Sequence, residues 1–387
     1  MNKKQRDFVE ILKCAISEFR SEKTDFNFDE IESISISNYC SSLVAYGATK
    51  CNIDIPKAWK NAASIILFRN YRNLDVQSRV LKKLNQGGIK CAVIKGLTAA
   101  VNYPSPMSRP LGDIDILVKN EDYEKAIALF GHIPENEHKF HFGFNYEGVS
   151  VEIHKAIDDY NNCLNGREIS EIMSQSLENL MIVKFDNYEI PALENKYQAV
   201  VYLNHMIRHF DTNELSMRMF CDWICFVNSI DDNTWQNHVY PVVKRAGYDD
   251  FCNALNLVAS KYMGISLESK VQKAISLNTI DLLMEEFVCD SKKHNTNFMD
   301  GNLASAYAKN DKKQQDFLRF GIYFLNELSR KKFKIAKYKV LLPFCWLYIA
   351  LRYLCRVVTG KRNMFSYKRL DSLAKRKRKI KLDLNLK

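Results

Sequence analysis

The sequence predicts an α+β protein in which a small mixed β-sheet lies between N-terminal and C-terminal helical regions. Apolar residues recur at helical spacing up to Gly87 and Gly88, and again from about residue 195 onward. Between these regions lie short β-branched runs, "IKCAVIKG", "DIDILV" and "VSVEIH", which are typical of buried strands. A chain of 387 residues, 47% of them hydrophobic, can bury a sizeable core and form two or three domains.

This change of period divides the chain into four regions. We expect an N-terminal helical region over residues 1–75, an α/β core over 76–195, a C-terminal helical domain over 196–330, and an apolar helix with a basic tail over 331–387. The first region contains the run "RDFVEILKCAISEF". A second, longer helical run ends at Gly87 and Gly88, which suit a helix C-cap.

The core itself alternates strands and short helices. The first strand candidate ends at Lys95 and Gly96, and the following segment "LTAAVNYP" predicts a short helix. "DIDILV" predicts a second strand, and "EDYEKAIALFGHI" predicts an amphipathic helix. "HFGFNYEGVSVEIHKAI" predicts a hairpin whose turn lies at Glu147 and Gly148.

The net charge of +11 is concentrated near one end of the chain. Residues 361–387 carry eleven Lys or Arg and two Asp, a net charge of +9, so the other 360 residues are nearly neutral. The body thus lacks the basic, aromatic-rich surface that is typical of nucleic-acid-binding proteins. We therefore expect no nucleic-acid partner.

Cysteine usage and the N-terminal residues indicate the compartment. Eleven cysteines are scattered without a C-x-x-C pair, a pattern typical of reduced, buried thiols and not of disulfides or a zinc site. The first residues, "MNKKQRDFVEILKCAISEF", contain no apolar run typical of a secretory signal. We expect a cytoplasmic protein.

Two acids, Asp113 and Asp115, stand one residue apart at the start of the apolar strand "DIDILV". Residues two apart in a strand share a face, with Cα atoms roughly 6.6 Å apart, so both carboxylates point the same way. Two such carboxylates repel each other unless a cation lies between them. A pair of Mg²⁺ ions is the arrangement that supports phosphoryl or nucleotidyl transfer.

Other residues complete this hypothesis. Glu152 supplies a third acid on the strand "VSVEIH", and His154 lies on the same face of that strand. The strand that ends at Lys95 and Gly96 opens into a helix, whose free N–H groups favour a phosphate. Lys95 can add positive charge there, and Gly96 permits close approach of a triphosphate to the backbone.

The order "VIKG", "RPLGDIDILV" and "VSVEIH" resembles the DNA polymerase β-like nucleotidyltransferase superfamily over roughly residues 60–230. It is most similar to a bacterial family usually labelled uncharacterised nucleotidyltransferase. The resemblance implies a nucleotidyltransferase core and Mg²⁺ or Mn²⁺ as cofactor. The substrate would be a nucleoside triphosphate, for example ATP, whose base the residues do not identify, and its nucleoside monophosphate would pass to an unknown acceptor.

Residue by residue, the resemblance implies Asp113, Asp115 and Glu152 as metal ligands and catalytic acids. Lys95, Gly96 and Arg109 would contact the nucleotide. Leu97 departs from the superfamily pattern, which has a second small residue after the glycine.

Each of these residues also has a simpler interpretation that involves no catalysis or nucleotide binding. Lys95 could be a surface lysine, Arg109 could brace its loop through a carboxylate, and His154 could be structural. The whole fold could be a degenerate nucleotidyltransferase that acts as a non-catalytic binding module in membrane-associated polysaccharide or peptide biosynthesis. A kinase-type transfer of the γ-phosphate could use the same acids.

A second group of candidates lies in "KYQAVVYLNHMIRHFDTNELSMRMFCDWICFV". His205 and His209 are four residues apart on one predicted helix, and Arg218 and Asp222 are four apart on the next, so each pair shares a helix face. These residues could close over the nucleotide or the acceptor. For the chemistry, the sequence favours the simpler interpretation of an Arg218–Asp222 ion pair and half-buried core histidines.

The C-terminal segment contains the apolar run "VLLPFCWLYIAL" between basic flanks. Twelve residues are too few to span a bilayer. With aromatic residues and Lys or Arg on both sides, the segment could lie at the interface of an anionic membrane, at the inner face of the cell membrane. The alternative is a helix packed on the body, followed by a solvated "KRKRKIK" tail.

Overall fold

The computed structural model describes residues 1–132, 140–161, 163–289, 338–359 and 367–386, with scattered positions between 322 and 333. The N-terminal part is helical: α1 (Lys3–Ile16), α2 (Phe28–Ser37), α3 (Ser41–Lys50) and α4 (Lys57–Gln86). A capping box at Asn2 and Gln5 begins α1. Helices α1 and α3 pack so closely that a Cβ at Gly47 would collide with the carbonyl oxygen of Ile11. As predicted, the long helix ends just before Gly87 and Gly88.

The core that follows is a mixed six-stranded sheet, which confirms the predicted α+β class. Its elements are β1 (Cys91–Val93), α5 (Leu97–Ala100), β2 (Ile114–Val118), α6 (Tyr123–Ala128), β3 (His141–Tyr146), β4 (Val149–His154), α7 (Gly166–Ser174), β5 (Leu180–Phe185) and β6 (Tyr188–Leu193). The strand order is β3-β4-β2-β1-β6-β5. The pairs β2/β4 and β1/β6 are parallel, and the other neighbours are antiparallel.

Each face of the sheet packs against a different set of helices. In β2, Ile114, Ile116 and Val118 contribute to one buried cluster with the apolar side of α4. Leu117 contributes to the other buried cluster, which contains the helices that follow the sheet. Because side chains alternate along a strand, Asp115 points to the same side as Leu117. The acids of the D-x-D motif therefore face the C-terminal helical layer.

Two hairpins flank the central strands. The predicted hairpin is β3/β4, and its turn residues Glu147 and Gly148 both have positive φ, as a two-residue type I′ turn requires. The second hairpin, β5/β6, was not predicted, nor was α7. The turn of the β5/β6 hairpin begins at Asp186, which also has a positive φ. Pro191 lies within β6, and a proline within a sequence run argues against a strand.

After the sheet the chain is helical, as predicted. The helices that the structure describes there are α8 (Asn195–Asp211), α9 (Met217–Asn228), α10 (Asp232–Thr234), α11 (Tyr240–Arg245), α12 (Asp249–Val258), α13 (Leu277–Phe287), α14 (Leu342–Val358) and α15 (Tyr367–Asp383). Single π-helical turns lie at Trp235–Val239 and Ala259–Met263. Within the described residues, no helix combines the length and the apolar character that crossing a membrane requires.

The two C-terminal helices correct one expectation. The apolar run forms α14, most of whose apolar side chains are exposed. The basic "KRKRKIK" segment is part of α15 and is not a solvated tail, because Lys377 is only 1% exposed and donates to the carbonyl oxygen of Phe210 at 2.6 Å. Arg376 pairs with Glu286, and α15 with the residues directly after it buries the large apolar side chains of Ile380, Leu384 and Leu386 against the body.

Candidate active site

The three predicted acids lie together at one end of β2 and β4. These strands pair in parallel, with Asp115 opposite Glu152. Asp113 immediately precedes β2 and is exposed, whereas Asp115 is buried. The neighbouring residues Ile114 and Val151 point to the opposite face of the sheet and are buried there. The pleat of two parallel strands thus brings the three carboxylates to one side.

Asp115 is held by two basic side chains. Its Oδ1 atom lies 2.7 Å from Nζ of Lys95 and 3.0 Å from Nε2 of His154. Burial opposes ionisation of this carboxyl, but the charge of Lys95 and the hydrogen bond to His154 outweigh burial and lower the pKa of Asp115. The pKa of Asp113 is raised instead, by partial loss of hydration among its neighbours and by the negative charges of Asp115 and Glu152. The two acids are therefore electrostatically distinct.

His154 links the second strand to this cluster. Its Nε2 atom also lies 3.2 Å from Oε2 of Glu152, and Nε2 of His141 on β3 lies 3.9 Å from the same oxygen. The hydrogen bond to His154 lowers the pKa of Glu152. One ligand atom from each of His141, Glu152 and His154 lies within 4.8 Å of the others, close enough to hold a metal ion.

The loop ahead of Asp113 is fixed by side chains from the N-terminal helices. Asn70 of α4 donates to the carbonyl oxygens of Met107 and Arg109, both at 2.8 Å, and its Oδ1 accepts from the N–H of Leu111. Asn73 donates to the carbonyl oxygen of Gly112 at 2.7 Å. Four backbone groups within six residues of Asp113 are thereby satisfied by one helix.

Arg109 lies on the wall of the site, but its guanidinium is already bonded. Nε and Nη2 donate to the two oxygens of Asp222, each at 2.7 Å, and Nη1 donates to the carbonyl oxygen of Pro110. The hydroxyl of Tyr103 also donates to Asp222, at 2.6 Å. Asp222 thus pairs with Arg109, so the expected Arg218–Asp222 ion pair is wrong. The geometry supports the bracing role of Arg109.

Helices α8 and α9 form the opposite wall. A cavity of about 420 Å³ opens between them and the strand ends, and its lining includes Asp113, Asp115, His205, His209 and Arg218. The two histidine rings lie 4.4 Å apart. Burial lowers the pKa of both, of His205 well below its usual value. The structure therefore brings the second group of candidates to the same cavity as the D-x-D motif.

Lys95 and Gly96 also line this cavity. Gly96 has a φ of +64°, a conformation that glycine adopts without strain. The helix that follows, α5, is short, as predicted, and its four residues give it little dipole. Gln198 of α8 donates to the carbonyl oxygen of Ile94 at 2.7 Å and so fixes the strand end to the helical wall.

Several lining residues were not singled out from the sequence. Tyr39 follows α2 with a φ of +56°, and Tyr202 lies on α8. The asparagines of α4 were also missed, although Asn70 and Asn73 are spaced three apart on one helix face, which is a pattern typical of a shared contact.

Comparison with known proteins agrees with this geometry. The model of the family described as "Uncharacterised nucleotidyltransferase" matches residues 24–264, which include the N-terminal helices from α2 onward, the whole sheet and α8 to α12. No curated protein and no solved structure matches the chain. Nucleotidyltransferases act on nucleoside triphosphates and typically use divalent metals. Because the family model matches more than half of the chain, the chain belongs to the uncharacterised nucleotidyltransferase family, as its motifs indicated.

Proposed function

We propose that this enzyme transfers a nucleoside monophosphate from a nucleoside triphosphate to an acceptor, with Asp113, Asp115 and Glu152 as metal ligands. The observation that carries the proposal is the parallel register of β2 and β4, which sets Asp115, a residue that lines the cavity, beside Glu152. Three carboxylates offer the oxygen ligands that Mg²⁺ prefers. Carboxylate oxygens suit Mn²⁺ as well as Mg²⁺.

In this reaction an acceptor oxygen bonds to the α-phosphorus, and the bond from that phosphorus to the bridging oxygen breaks. Pyrophosphate leaves with the bonding electron pair. Asp113, Asp115 and Glu152 would hold the divalent cation, which would neutralise the charge that develops on the phosphate oxygens. Glu152 takes the proton of the acceptor hydroxyl, since its side chain is one quarter exposed and its carboxylate, whose pKa is lowered by the hydrogen bond to His154, is ionised.

The surrounding residues hold these groups in position. Lys95 and His154 fix the carboxylate of Asp115 from two sides. Asn70 and Asn73 fix the backbone ahead of Asp113. Helices α8 and α9 supply one wall of the cavity.

A labelling experiment tests the proposal. Each α-labelled nucleoside triphosphate is incubated with Mg²⁺ or Mn²⁺ and with lysate fractions of small molecules, proteins and glycans. We expect label to enter an acceptor with wild-type protein and not with the Asp113→Asn, Asp115→Asn double variant. Asp122→Asn, an acid just beyond β2 and outside the cavity, is the matched control.

The labelled position separates the alternatives. Transfer from γ-labelled but not α-labelled substrate would indicate a kinase-type reaction. Nucleotide binding without transfer of either label would indicate a non-catalytic binding module. Undiminished transfer in the double variant would contradict the roles of Asp113 and Asp115.

Helix α14 supports a proposal about location. It exposes apolar side chains along most of its length: Phe344, Leu347, Tyr348, Leu351, Leu354 and Val358. Arg352 is exposed among them. An apolar helix surface with cationic residues fits the interface of an anionic membrane, where each nearby Lys or Arg contributes about 1 kcal/mol.

Vesicle sedimentation tests this location. We expect wild-type protein to sediment with phosphatidylserine-containing vesicles at low salt and much less at high salt. The Leu347→Ser, Leu351→Ser variant should lose binding, whereas Ile65→Ser, Phe68→Ser, which alters exposed apolar residues of α4, should retain it. Equal binding by both variants would contradict the proposal.

A further inference from the structure

Three cationic side chains line the cavity, and two of them are neutralised by carboxylates. Lys95 contacts Asp115 at 2.7 Å, and Arg109 contacts Asp222 at 2.7 Å. Arg218 of α9 is the third. Among the residues that the structure describes, no carboxylate oxygen lies within 4.0 Å of its guanidinium nitrogens. The described part of the chain therefore supplies no carboxylate that pairs with the positive charge of Arg218.

The environment of Arg218 is largely dry. Its Nε atom is buried and has no hydrogen-bond partner among the described residues. Nη1 makes only a long contact, 3.5 Å, to the carbonyl oxygen of Pro110. The guanidinium lies 5.2 Å from the centre of the Tyr39 ring, which supports its apolar face. A partly buried, unpaired cation is costly unless an anion from outside completes it.

The position of Arg218 relates it to the D-x-D motif. Its Nη1 atom lies 3.9 Å from the point where a Cβ at Gly112 would stand, one residue before Asp113. The absence of a side chain at Gly112 leaves the guanidinium beside the backbone that leads into the acids. A group bound between Arg218 and Asp113 would therefore touch both walls of the cavity.

We infer that Arg218 binds a phosphate group of a substrate in this cavity. The planar guanidinium donates two parallel hydrogen bonds to phosphate oxygens, and Nε is one of the donors that such a bidentate contact uses. Lys95, which the sequence offers as a candidate for phosphate contact, is bonded to Asp115. The one-turn helix α5 adds little dipole. The phosphate-binding cation of this cavity thus comes from the helical wall, not from the strand end.

Two sources of phosphate have the same chemistry: the triphosphate of the nucleotide, and a phosphate on the acceptor. The assignment to either substrate rests on the proposed function, whereas phosphate binding by Arg218 does not require transfer to occur. Binding is therefore measured directly, by calorimetry without turnover, using inorganic tripolyphosphate, ATP and orthophosphate as probes.

The variants are Arg218→Gln and Arg218→Lys, with Arg245→Gln as the matched control. Arg245 pairs with Glu168 and Glu171 outside the cavity. Loss of a charge-assisted bidentate contact predicts a roughly 10- to 100-fold weaker affinity in Arg218→Gln. Arg218→Lys keeps the positive charge but not the bidentate geometry of the guanidinium, and we expect an intermediate loss of affinity. If Arg218→Gln does not fold, Arg218→Lys alone carries the test.

The probes distinguish the two sources. Weaker binding of tripolyphosphate and ATP identifies the nucleotide triphosphate as the ligand. Unchanged ATP affinity, with weaker orthophosphate binding to the ATP-saturated protein, identifies a phosphate on the acceptor. Affinities equal to those of wild type and Arg245→Gln for all probes would overturn the inference. A protein that binds phosphate through Arg218 but transfers no label would contradict only the proposed function.

Discussion

The buried ion pair between Arg109 and Asp222 gives the sharpest stability prediction. Arg109 is 4% exposed, and its guanidinium is bonded twice to a carboxylate that also accepts from Tyr103. Asp222→Asn keeps the size of the side chain and an acceptor for Tyr103, but it removes the negative charge. The variant leaves the guanidinium buried without its counter-charge.

The magnitude follows from that burial. Removing one partner of a buried pair costs about 3–5 kcal/mol, because the remaining charge is neither hydrated nor paired. We expect a loss of about 3 kcal/mol of unfolding free energy in Asp222→Asn, since its amide oxygen still accepts a hydrogen bond, and about 4 kcal/mol in Arg109→Met. In the double variant neither charge of this pair remains, and the loss should be only about 2–3 kcal/mol.

Urea denaturation at pH 7, analysed by linear extrapolation, measures these values. The double-mutant cycle should give a coupling energy of about 4 kcal/mol. Losses in the two single variants that simply add in the double variant would refute the reasoning. So would a loss below about 1 kcal/mol in Asp222→Asn, since that is the range of an exposed pair.

Three further outcomes follow. Asn70→Ala removes three hydrogen bonds and should cost about 2–4 kcal/mol, with faster amide exchange at Leu111 as the local readout; unchanged exchange would contradict the loop-fixing role. Because the pKa of His205 is lowered in the folded state, the unfolding free energy should fall as the pH drops below about 6.5. His205→Asn should reduce the slope of unfolding free energy against pH by up to about 1.4 kcal/mol per pH unit. A pH profile identical to that of the wild-type protein would contradict this prediction. Deleting residues 367–387 should cost about 5 kcal/mol, since three apolar side chains lose their burial; a melting curve like that of the full chain would indicate a dispensable tail.

The placement of the acids could be predicted from the sequence because it depends on local geometry. The period of two along a strand sets Asp113 and Asp115 on one face without any knowledge of the partner strand. The Glu147–Gly148 turn likewise defines its hairpin locally. What the sequence could not supply is the order of the strands, since β1 pairs with β6 across about a hundred residues.

Ion pairs between residues far apart in the sequence could not be predicted either. Spacing on α9 suggested Arg218 as the partner of Asp222, because residues four apart are neighbours on a helix. The actual partner, Arg109, lies 113 positions earlier in the chain. The helical rule describes which residues could meet locally, and tertiary packing decided between them. The same limit hid α15, whose basic composition resembles a solvated tail until its contacts with Phe210 and Glu286 are seen.

The anchoring of α8 by α15 has a consequence for the timing of biosynthesis. Lys377 donates a hydrogen bond to the carbonyl oxygen of Phe210 and lies 167 residues after it in the chain. At 5–20 residues per second, the ribosome needs roughly 8–33 s to supply that anchor after α8 is made. During this interval the C-terminal end of α8, which carries His205 and His209, lacks its contact with Lys377. The nascent chain can therefore complete its sheet well before it completes the cavity.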